Sequence, residues 1–327
     1  MSELTPAARA RHAMDRLFQT TLTPDDAANT VGQVLDRRVD LLRSTADRPL
    51  DDIRDEIAGE HGFAEWTAVT AHRDQPVDRH FEAAVDAIVS GDPDALRALL
   101  TAHPALALAR SPFGHHAMLV HYVTANGVES SRQWQTPRNA PELLRILLRH
   151  GADPNATCDA YGGGSGMTPL TLLVSSCHPA DAGVQADLVE EFCRGGANPN
   201  GNDEDGIPLW TAITFGYPAA VDALARCGAR IDNLVFAAAT GDLSKVKDYL
   251  HASQAHRIGL RGPLLDPDHM IEYALIYSAG LGRRAIVEFL LGKHPDLTVT
   301  EPRFHSTAAG MARYHHRHDV LALLEAT

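Results

Sequence analysis

The stretch DGIPLWTAITFGYPAAVDALARCGARID, residues 205–232, contains two apolar segments separated by a glycine. Pro208 begins the first segment, Gly216 ends it, and the second segment ends just before Gly228. Proline suits the first turn of a helix, and glycine suits the position that follows a helix. The stretch therefore predicts a helix, a turn, a second helix and a closing loop.

This unit resembles an ankyrin repeat, whose pattern of DG-x-TPLHxAAxxG, an outer helix and GADxN recurs about every 33 residues. The segment PLWTAITFG matches the inner helix and RCGARID matches the end of the outer helix, although Trp210 stands where the family has histidine. The resemblance implies an all-α fold. It would be a solenoid of stacked helix pairs whose inner helices and hairpins line one concave surface.

The spacing of this unit recurs along the chain. Gly216, which ends the inner helix, lies 12 residues before Gly228, which ends the outer helix. Two other pairs of positions share this offset, Gly91 with His103 and Gly282 with His294. A unit at Gly241, a terminal outer helix at 314–324 and two units with insertions complete an ankyrin-repeat solenoid of about seven helix-turn-helix repeats.

The N-terminal part of the chain has no repeat but has a helical pattern. Val31, Leu35 and Val39 recur on one helical face. We expect a helical segment at 1–76 that caps the first repeat, because terminal repeats need a polar outer face. The ankyrin-repeat domain then spans residues 77–327, and the whole arrangement is similar to that of bacterial ankyrin-repeat proteins with a helical N-terminal extension.

Repeats two and three depart from the regular spacing. The inner-to-outer offset is 24 residues in repeat two, which closes at Gly151, and 19 residues in repeat three, which closes at Gly196. Both insertions lie between the inner and the outer helix, so we expect segments 128–138 and 178–184 to contact each other on one rim. The hairpin at 155–168 is also longer than the family pattern requires. Insertions of this kind often form the binding face of a repeat protein.

Three residues are candidates for the binding groove. His121 stands at the histidine position of the TPLH motif, where it either ties the hairpin turn to neighbouring backbone or contacts a ligand. Trp210 is a large amphipathic side chain where a small polar one is usual, so it is either a recognition residue or part of the core. Tyr161 precedes a run of glycines that lacks the lysine of a phosphate-binding loop and is typical of a hairpin tip.

The two insertions supply candidate rim residues. Glu129, Arg132 and Trp134 of the first insertion, with His178 of the second, could bind a peptide or a polar small molecule. In the alternative interpretation Arg132 pairs with Glu129 or Asp181 only to order the loops. If the chain is an enzyme, Glu129 or His178 is the candidate acid–base group.

Composition excludes several other classes of function. The formal net charge of −13 disfavours nucleic acid and anionic membranes as partners. No apolar run approaches the roughly 18 residues of a membrane helix, and the N-terminus lacks the apolar core of a secretory signal, so a cytoplasmic location is expected.

The four cysteines form no CxxC pair. No cofactor and no metal are expected, since no Cys or carboxylate stands at a defined spacing from the clustered histidines, His115, His116, His315, His316 and His318.

Two hypotheses about function follow. The first is a non-enzymatic recognition scaffold that binds a protein or peptide partner on its concave face. The alternative is an enzyme or small-molecule-binding protein whose pocket is formed by repeats two to four and closed by the 128–138 and 178–184 insertions. An open groove favours the scaffold, and a closed pocket with a perturbed titratable group favours the alternative.

Overall fold

The computed structural model describes residues 22–25, 29–45, 47–125, 128–129, 132–133, 135–160, 164–250 and 265–327. Within these ranges the chain forms 18 α-helices and one two-stranded sheet, which confirms the predicted mostly helical fold class. None of the described helices combines the length and the apolar composition that crossing a membrane requires.

The chain divides into two compact units, residues 1–184 with 194–196 and residues 185–193 with 197–327. The boundary that the sequence suggests between 76 and 77 lies inside the first unit. A shared core explains why. Val31, Leu35 and Val39 are buried on one face of the first helix, as predicted, and Phe113 belongs to the same hydrophobic cluster although it lies far beyond residue 76.

The first unit contains nine helices among its described residues. They are α1 (Val31–Thr45), α2 (Leu50–Glu60), α3 (Trp66–Val69), α4 (Arg79–Ser90), α5 (Pro93–Ala102), α6 (Leu119–Tyr122), α7 (Ala140–Arg149), α8 (Pro169–Ser175) and α9 (Cys177–Asp181), with short 3-10 segments at Thr70–His72 and Pro104–Ala107. Strands β1 (Cys158–Ala160) and β2 (Gly164–Met167) pair antiparallel in the lengthened hairpin. The hairpin tip at 161–163 lies outside the described residues.

Among its described residues, the second unit contains α10 followed by four helix pairs. Each pair is a helix, a short turn and a second helix, and we call the two helices inner and outer in that order. The helices are α10 (Gln185–Arg194), α11 (Ile207–Thr214), α12 (Pro218–Arg226), α13 (Leu234–Thr240), α14 (Leu243–Leu250), α15 (Met270–Gly280), α16 (Arg284–Leu291), α17 (Ala308–Tyr314) and α18 (His318–Glu325). The predicted terminal outer helix at 314–324 is wrong at its start, because Tyr314 ends the inner helix α17 and the outer helix begins at His318.

The turns inside the helix pairs have a left-handed residue in common. The φ angles are +71° at Gly216, +78° at Gly241 and +74° at Gly282, and His316 takes the same conformation at +57°. A left-handed residue reverses the chain sharply after a helix, and glycine adopts it without the steric cost of a Cβ.

The residue predicted to end each outer helix also has a left-handed conformation at most of these positions. Gly228 has φ +92°, Gly151 +89° and Gly196 +97°, and His294 adopts +55° without being glycine. His103 is the exception, because its φ of −132° lets the chain continue into a 3-10 segment. The predicted left-handed conformation of Gly228 is therefore confirmed, while the spacing alone does not fix the cap at His103.

Gly228→Ala should lower the free energy of unfolding by about 1 kcal/mol, because alanine is strained at positive φ. A Cβ at this position meets no atom within 4 Å, so the expected cost is conformational and not a clash. His294→Gly is the reciprocal test and should stabilise the protein by a similar amount. Urea unfolding followed by circular dichroism measures both, and a stable Gly228→Ala variant would contradict the role of the left-handed cap.

Candidate functional site

The predicted rim residues Glu129 and Arg132 lie in a buried charged cluster and not on an exposed rim. Arg132 donates to Glu129 at 3.1 Å, to Glu82 of α4 at 2.5 Å, and to Asp86 of α4 at 2.7 Å. The guanidinium thus bonds carboxylates from its own loop and from a preceding helix. The interpretation in which Arg132 pairs with Glu129 to order the insertion describes this geometry.

The carboxylate of Glu129 is surrounded by further donors. Tyr122 donates its hydroxyl to Glu129 at 2.7 Å, and His115 Nε2 lies 3.1 Å from the same oxygen. Burial acts to raise the pKa of Glu129, but Arg132 and the hydrogen bond from His115 hold it well below its usual range. Burial raises the pKa of Glu82 to about 8 against the attraction of Arg132. Glu129 is therefore the ionised partner of the arginine, and Glu82 keeps its proton near neutral pH.

His61, His115 and Glu129 bring one potential ligand atom each within 4.8 Å of one another. The hydrogen bonds that the two histidines accept are not those expected of metal-bound histidines. Ala117 donates its N–H to His115 Nδ1 at 3.1 Å, and Arg38, which has only donors, lies 2.8 Å from His61 Nε2. A metal-bound histidine normally donates from its remaining nitrogen, whereas both of these nitrogens accept. The cluster is a hydrogen-bonded polar core.

The described side chains of this core are buried. The crevice beside Tyr122 and Gln133 has a volume of about 0 Å³ for a water-sized sphere. A general acid or base must reach the proton that it transfers, directly or through one water. Among the described residues, Glu129 has a structural environment, because it is fully buried and bonded to Arg132, Tyr122 and His115. The predicted contact between segments 128–138 and 178–184 stays a prediction.

The structure places the other predicted residues in different settings. His121 is buried; its ring nitrogens lie 3.1 Å from Met118 N and 3.2 Å from Ala156 O, so it ties backbone segments together. Burial lowers its pKa to about 4. His178 is half-buried, with Nδ1 3.9 Å from Cys177 Sγ. Two predicted binding residues, Trp134 and Tyr161, lie outside the described part of the chain.

Trp210 belongs to the core of the second unit. It is 4% exposed and packs edge-on against Tyr277, with 5.1 Å between the ring centroids. Of the two interpretations of this residue, the geometry matches the core residue. No exposed surface remains on Trp210 with which a partner could make a large contact.

A cavity that the sequence did not predict lies in the second unit. Its volume is about 540 Å³. Its walls include four aromatic side chains, a histidine and a methionine, namely Phe215, Tyr217, Phe304, Tyr314, His315 and Met311. Phe304 and Tyr314 are 51% and 77% exposed, so the cavity opens to solvent between aromatic side chains.

Two equivalent arginines bring the walls of the cavity together. Arg283 and Arg317 directly follow the left-handed residues of the last two turns, and we call them the arginine rungs. Arg283 Nε donates to Ala239 O at 2.8 Å, and Arg317 Nε donates to Gly280 O at 3.0 Å. Each rung therefore bonds the end of the inner helix of the preceding helix pair, where a positive charge is favourable.

The rungs also reach beyond the neighbouring pair. Arg317 Nη2 lies 3.4 Å from Gly216 O in the first helix pair of the unit. In a straight stack with about 10 Å between helix pairs, the first and the fourth pair would be roughly 30 Å apart. The inner-helix ends instead converge, and Phe215 lies against Phe304 with 6.1 Å between the ring centroids. This convergence encloses the cavity.

A buried carboxylate shapes the loop that carries Phe304. Glu301 is fully buried and accepts the N–H groups of Arg303 at 2.7 Å, Phe304 at 2.6 Å and Ser306 at 3.3 Å. Tyr277 donates its hydroxyl to the same carboxylate at 3.3 Å. Charge-assisted bonds from several backbone donors fix a loop firmly. Phe304 is therefore held at the cavity although half of its side chain is in water.

Comparisons with known protein families and with curated proteins give no match. Inference about function therefore depends on the residues of this chain. Of the two clusters described above, the charged core is buried and its side chains bond one another, whereas the aromatic cavity is open to solvent and has room for a ligand. The cavity is the candidate functional site.

The raised pKa of Glu82 predicts a stability that falls with increasing pH. The folded protein keeps a proton that the unfolded chain releases above its ordinary pKa of 4.5, so stability should decrease from there to about pH 8. The contribution of one such proton is at most about 1.4 kcal/mol per pH unit. Glu82→Gln, which carries no titrating proton, should flatten this slope in urea unfolding measured between these pH values.

Glu142→Gln is the matched control, because Glu142 pairs with Arg97 on the exposed surface of the same unit. Its pH profile should follow that of the wild type. A Glu82→Gln profile parallel to the wild type would show that Glu82 is ionised throughout this range.

Trp210→Ala should cost about 3 kcal/mol or more of unfolding free energy, since it removes a buried indole and leaves a cavity. Tyr314→Ala, at an exposed position in the same unit, should change stability by no more than about 0.5 kcal/mol. Chemical denaturation of the two variants measures the difference. Equal effects would contradict the assignment of Trp210 to the core.

Proposed function

We propose that the chain is a non-enzymatic recognition protein of the ankyrin-repeat type that binds a small molecule in the aromatic cavity. The repeat assignment is supported by the recurring helix pairs, by the shared left-handed turns and by the TPL and GADxN-like segments. A bacterial, cytoplasmic setting remains a prediction of the sequence.

The observation that carries this proposal is the cavity itself. Its volume of about 540 Å³ lies within the roughly 300–1,000 Å³ of small-molecule sites, which are mostly apolar and aromatic with a few polar groups. Thr214 and Ser306 supply hydroxyl groups at its wall. An open, extended groove was the expectation for a protein-binding scaffold, and the convergence of the inner-helix ends closes that groove in the second unit.

A non-enzymatic role is favoured by the chemistry of the lining. His315 is the only His, Asp, Glu, Lys or Cys side chain among the described residues that line the cavity. Burial and the neighbouring charges of Arg317 and His316 lower its pKa, so it is neutral near pH 7. A lone neutral imidazole without an orienting carboxylate or a nucleophile does not form a catalytic constellation.

Binding of a protein or peptide partner is the second candidate function. Phe304 and Tyr314 are among the few large apolar side chains that the described surface exposes. Aromatic residues at the mouth of a pocket are common anchors of protein interfaces. A partner of this kind would insert one side chain into the cavity and would compete with the small molecule.

Titration with N-phenyl-1-naphthylamine, a neutral aromatic dye that fluoresces in apolar sites, tests the proposed function. We expect one saturable site per chain. Phe304→Ala and Tyr314→Ala should each weaken binding by roughly fivefold to thirtyfold, as the loss of one aromatic contact of about 1–2 kcal/mol implies. Both side chains are largely exposed, so neither variant should unfold the protein.

Leu108→Ala is the matched control, because Leu108 is 59% exposed and belongs to the first unit. Its affinity for the dye should stay within about twofold of the wild type. If no saturable binding occurs, or if Leu108→Ala weakens it as much as Tyr314→Ala, the cavity is not the ligand site.

A further inference from the structure

Positively charged side chains without an ion-pair partner lie beside the aromatic cavity among the described residues. Arg303 lies over two of the cavity's aromatic rings, with its guanidinium carbon 4.7 Å from the centroid of Phe215 and 5.4 Å from that of Phe304. Its side chain is exposed, and no carboxylate of the described residues lies within ion-pair distance of it. The guanidinium therefore remains available at the edge of the aromatic walls.

Arg317 provides a second such charge. Its guanidinium donates hydrogen bonds to the carbonyls of Gly280 and Gly216, and within the described chain it forms no ion pair. Gly216 lies between Phe215 and Tyr217, two residues of the cavity wall. Carbonyl dipoles satisfy the N–H groups of an arginine, and Asp319 acts on this guanidinium only as a nearby charge outside ion-pair distance.

Neighbouring arginines contrast with these two. Arg313 pairs with Glu325 at 2.7 Å, and Arg284 pairs with Glu288 at 2.8 Å. None of these four residues lines the cavity. Among the described residues, Arg303 and Arg317 therefore lack an ion-pair partner, in a chain whose overall charge is −13.

The shift in the pKa of His315 is consistent with a positive electrostatic potential in the cavity. Its pKa is lowered first by burial and then by the positive charge of Arg317 and by His316. Two acidic residues lie nearby in the sequence, but neither lines the cavity. Glu301 directs its carboxylate into backbone N–H groups. Burial lowers the pKa of Arg317, and Asp319 acts to raise it without forming an ion pair with the arginine. A cation in the cavity would be repelled, and an anion would be attracted.

We infer that the ligand of the cavity is a planar aromatic molecule that carries an anionic group. Its ring would lie between Phe215, Phe304 and Tyr314, and its anionic oxygens would face Arg303 and Arg317. Aromatic walls favour stacked or edge-on rings, and guanidinium groups bind oxyanions in fork geometry. This inference rests on the proposed function and names the ligand class for the same site.

Two dyes that differ by one charge test the inference on the full-length chain. 1-Anilinonaphthalene-8-sulfonate has the ring system of N-phenyl-1-naphthylamine together with a sulfonate group. We expect the sulfonate dye to bind at one site about tenfold tighter or more, as one to two charge-assisted contacts imply. Tyr314→Ala should weaken both dyes, which locates the two in the same cavity.

Arg303→Gln should reduce the preference for the anionic dye from about tenfold to about threefold or less. Arg313→Gln changes the net charge of the protein equally but removes an arginine that is paired with Glu325, so the preference should stay within about twofold of the wild type. The comparison separates a contact with Arg303 from a general effect of net charge.

Each other outcome identifies what has failed. If both dyes bind equally well and Tyr314→Ala weakens both, the cavity is a ligand site and the anionic ligand class is overturned. If Arg313→Gln affects the preference as much as Arg303→Gln, the assignment of the anion to Arg303 is overturned. If neither dye saturates, the proposed function and this inference fail together.

Discussion

The arginine rungs hold the second unit together. Arg283 and Arg317 follow a left-handed turn residue, and each side chain crosses to the end of the preceding inner helix, where unbonded carbonyls carry partial negative charge. A Cβ at Gly282 would approach Arg317 Cδ to 3.1 Å, so the glycine also leaves room for the rung. One recurring contact thus joins the turn conformation to the helix ends that converge on the cavity.

The first unit is held together by a different constraint. A single guanidinium, Arg132, bonds three carboxyl groups, and two of them belong to α4. Removing one partner from such a cluster leaves a buried charge without compensation, which is far more costly than the loss of an exposed pair. Glu129 and Arg132 of the inserted loop are consequently fixed to the helix before it, and their side chains face inward.

The features that could be predicted from the sequence are those that depend on residues close together along the chain. Helical periodicity gave the buried face of Val31, Leu35 and Val39, and glycine spacing gave the cap at Gly228, because both depend on neighbouring residues. His61 and Glu129 lie 68 positions apart in sequence, and no spacing rule joins them. The same holds for Phe215 and Phe304, whose contact depends on the convergence of inner-helix ends. The sequence of the insertion also gave no sign that Glu129, Arg132 and Gln133 would be buried.

The contact of Arg317 with Gly216 has a consequence for how the second unit folds. In a repeat array each element contacts only its neighbours, so folding can begin anywhere and the ends can unfold separately. Here residues 101 positions apart in sequence are bonded. Closing so long a loop requires the intervening pairs to be formed, which slows folding and couples the terminal helix pair to the first. The second unit should therefore lose its structure in one cooperative step, without progressive fraying from the C-terminus.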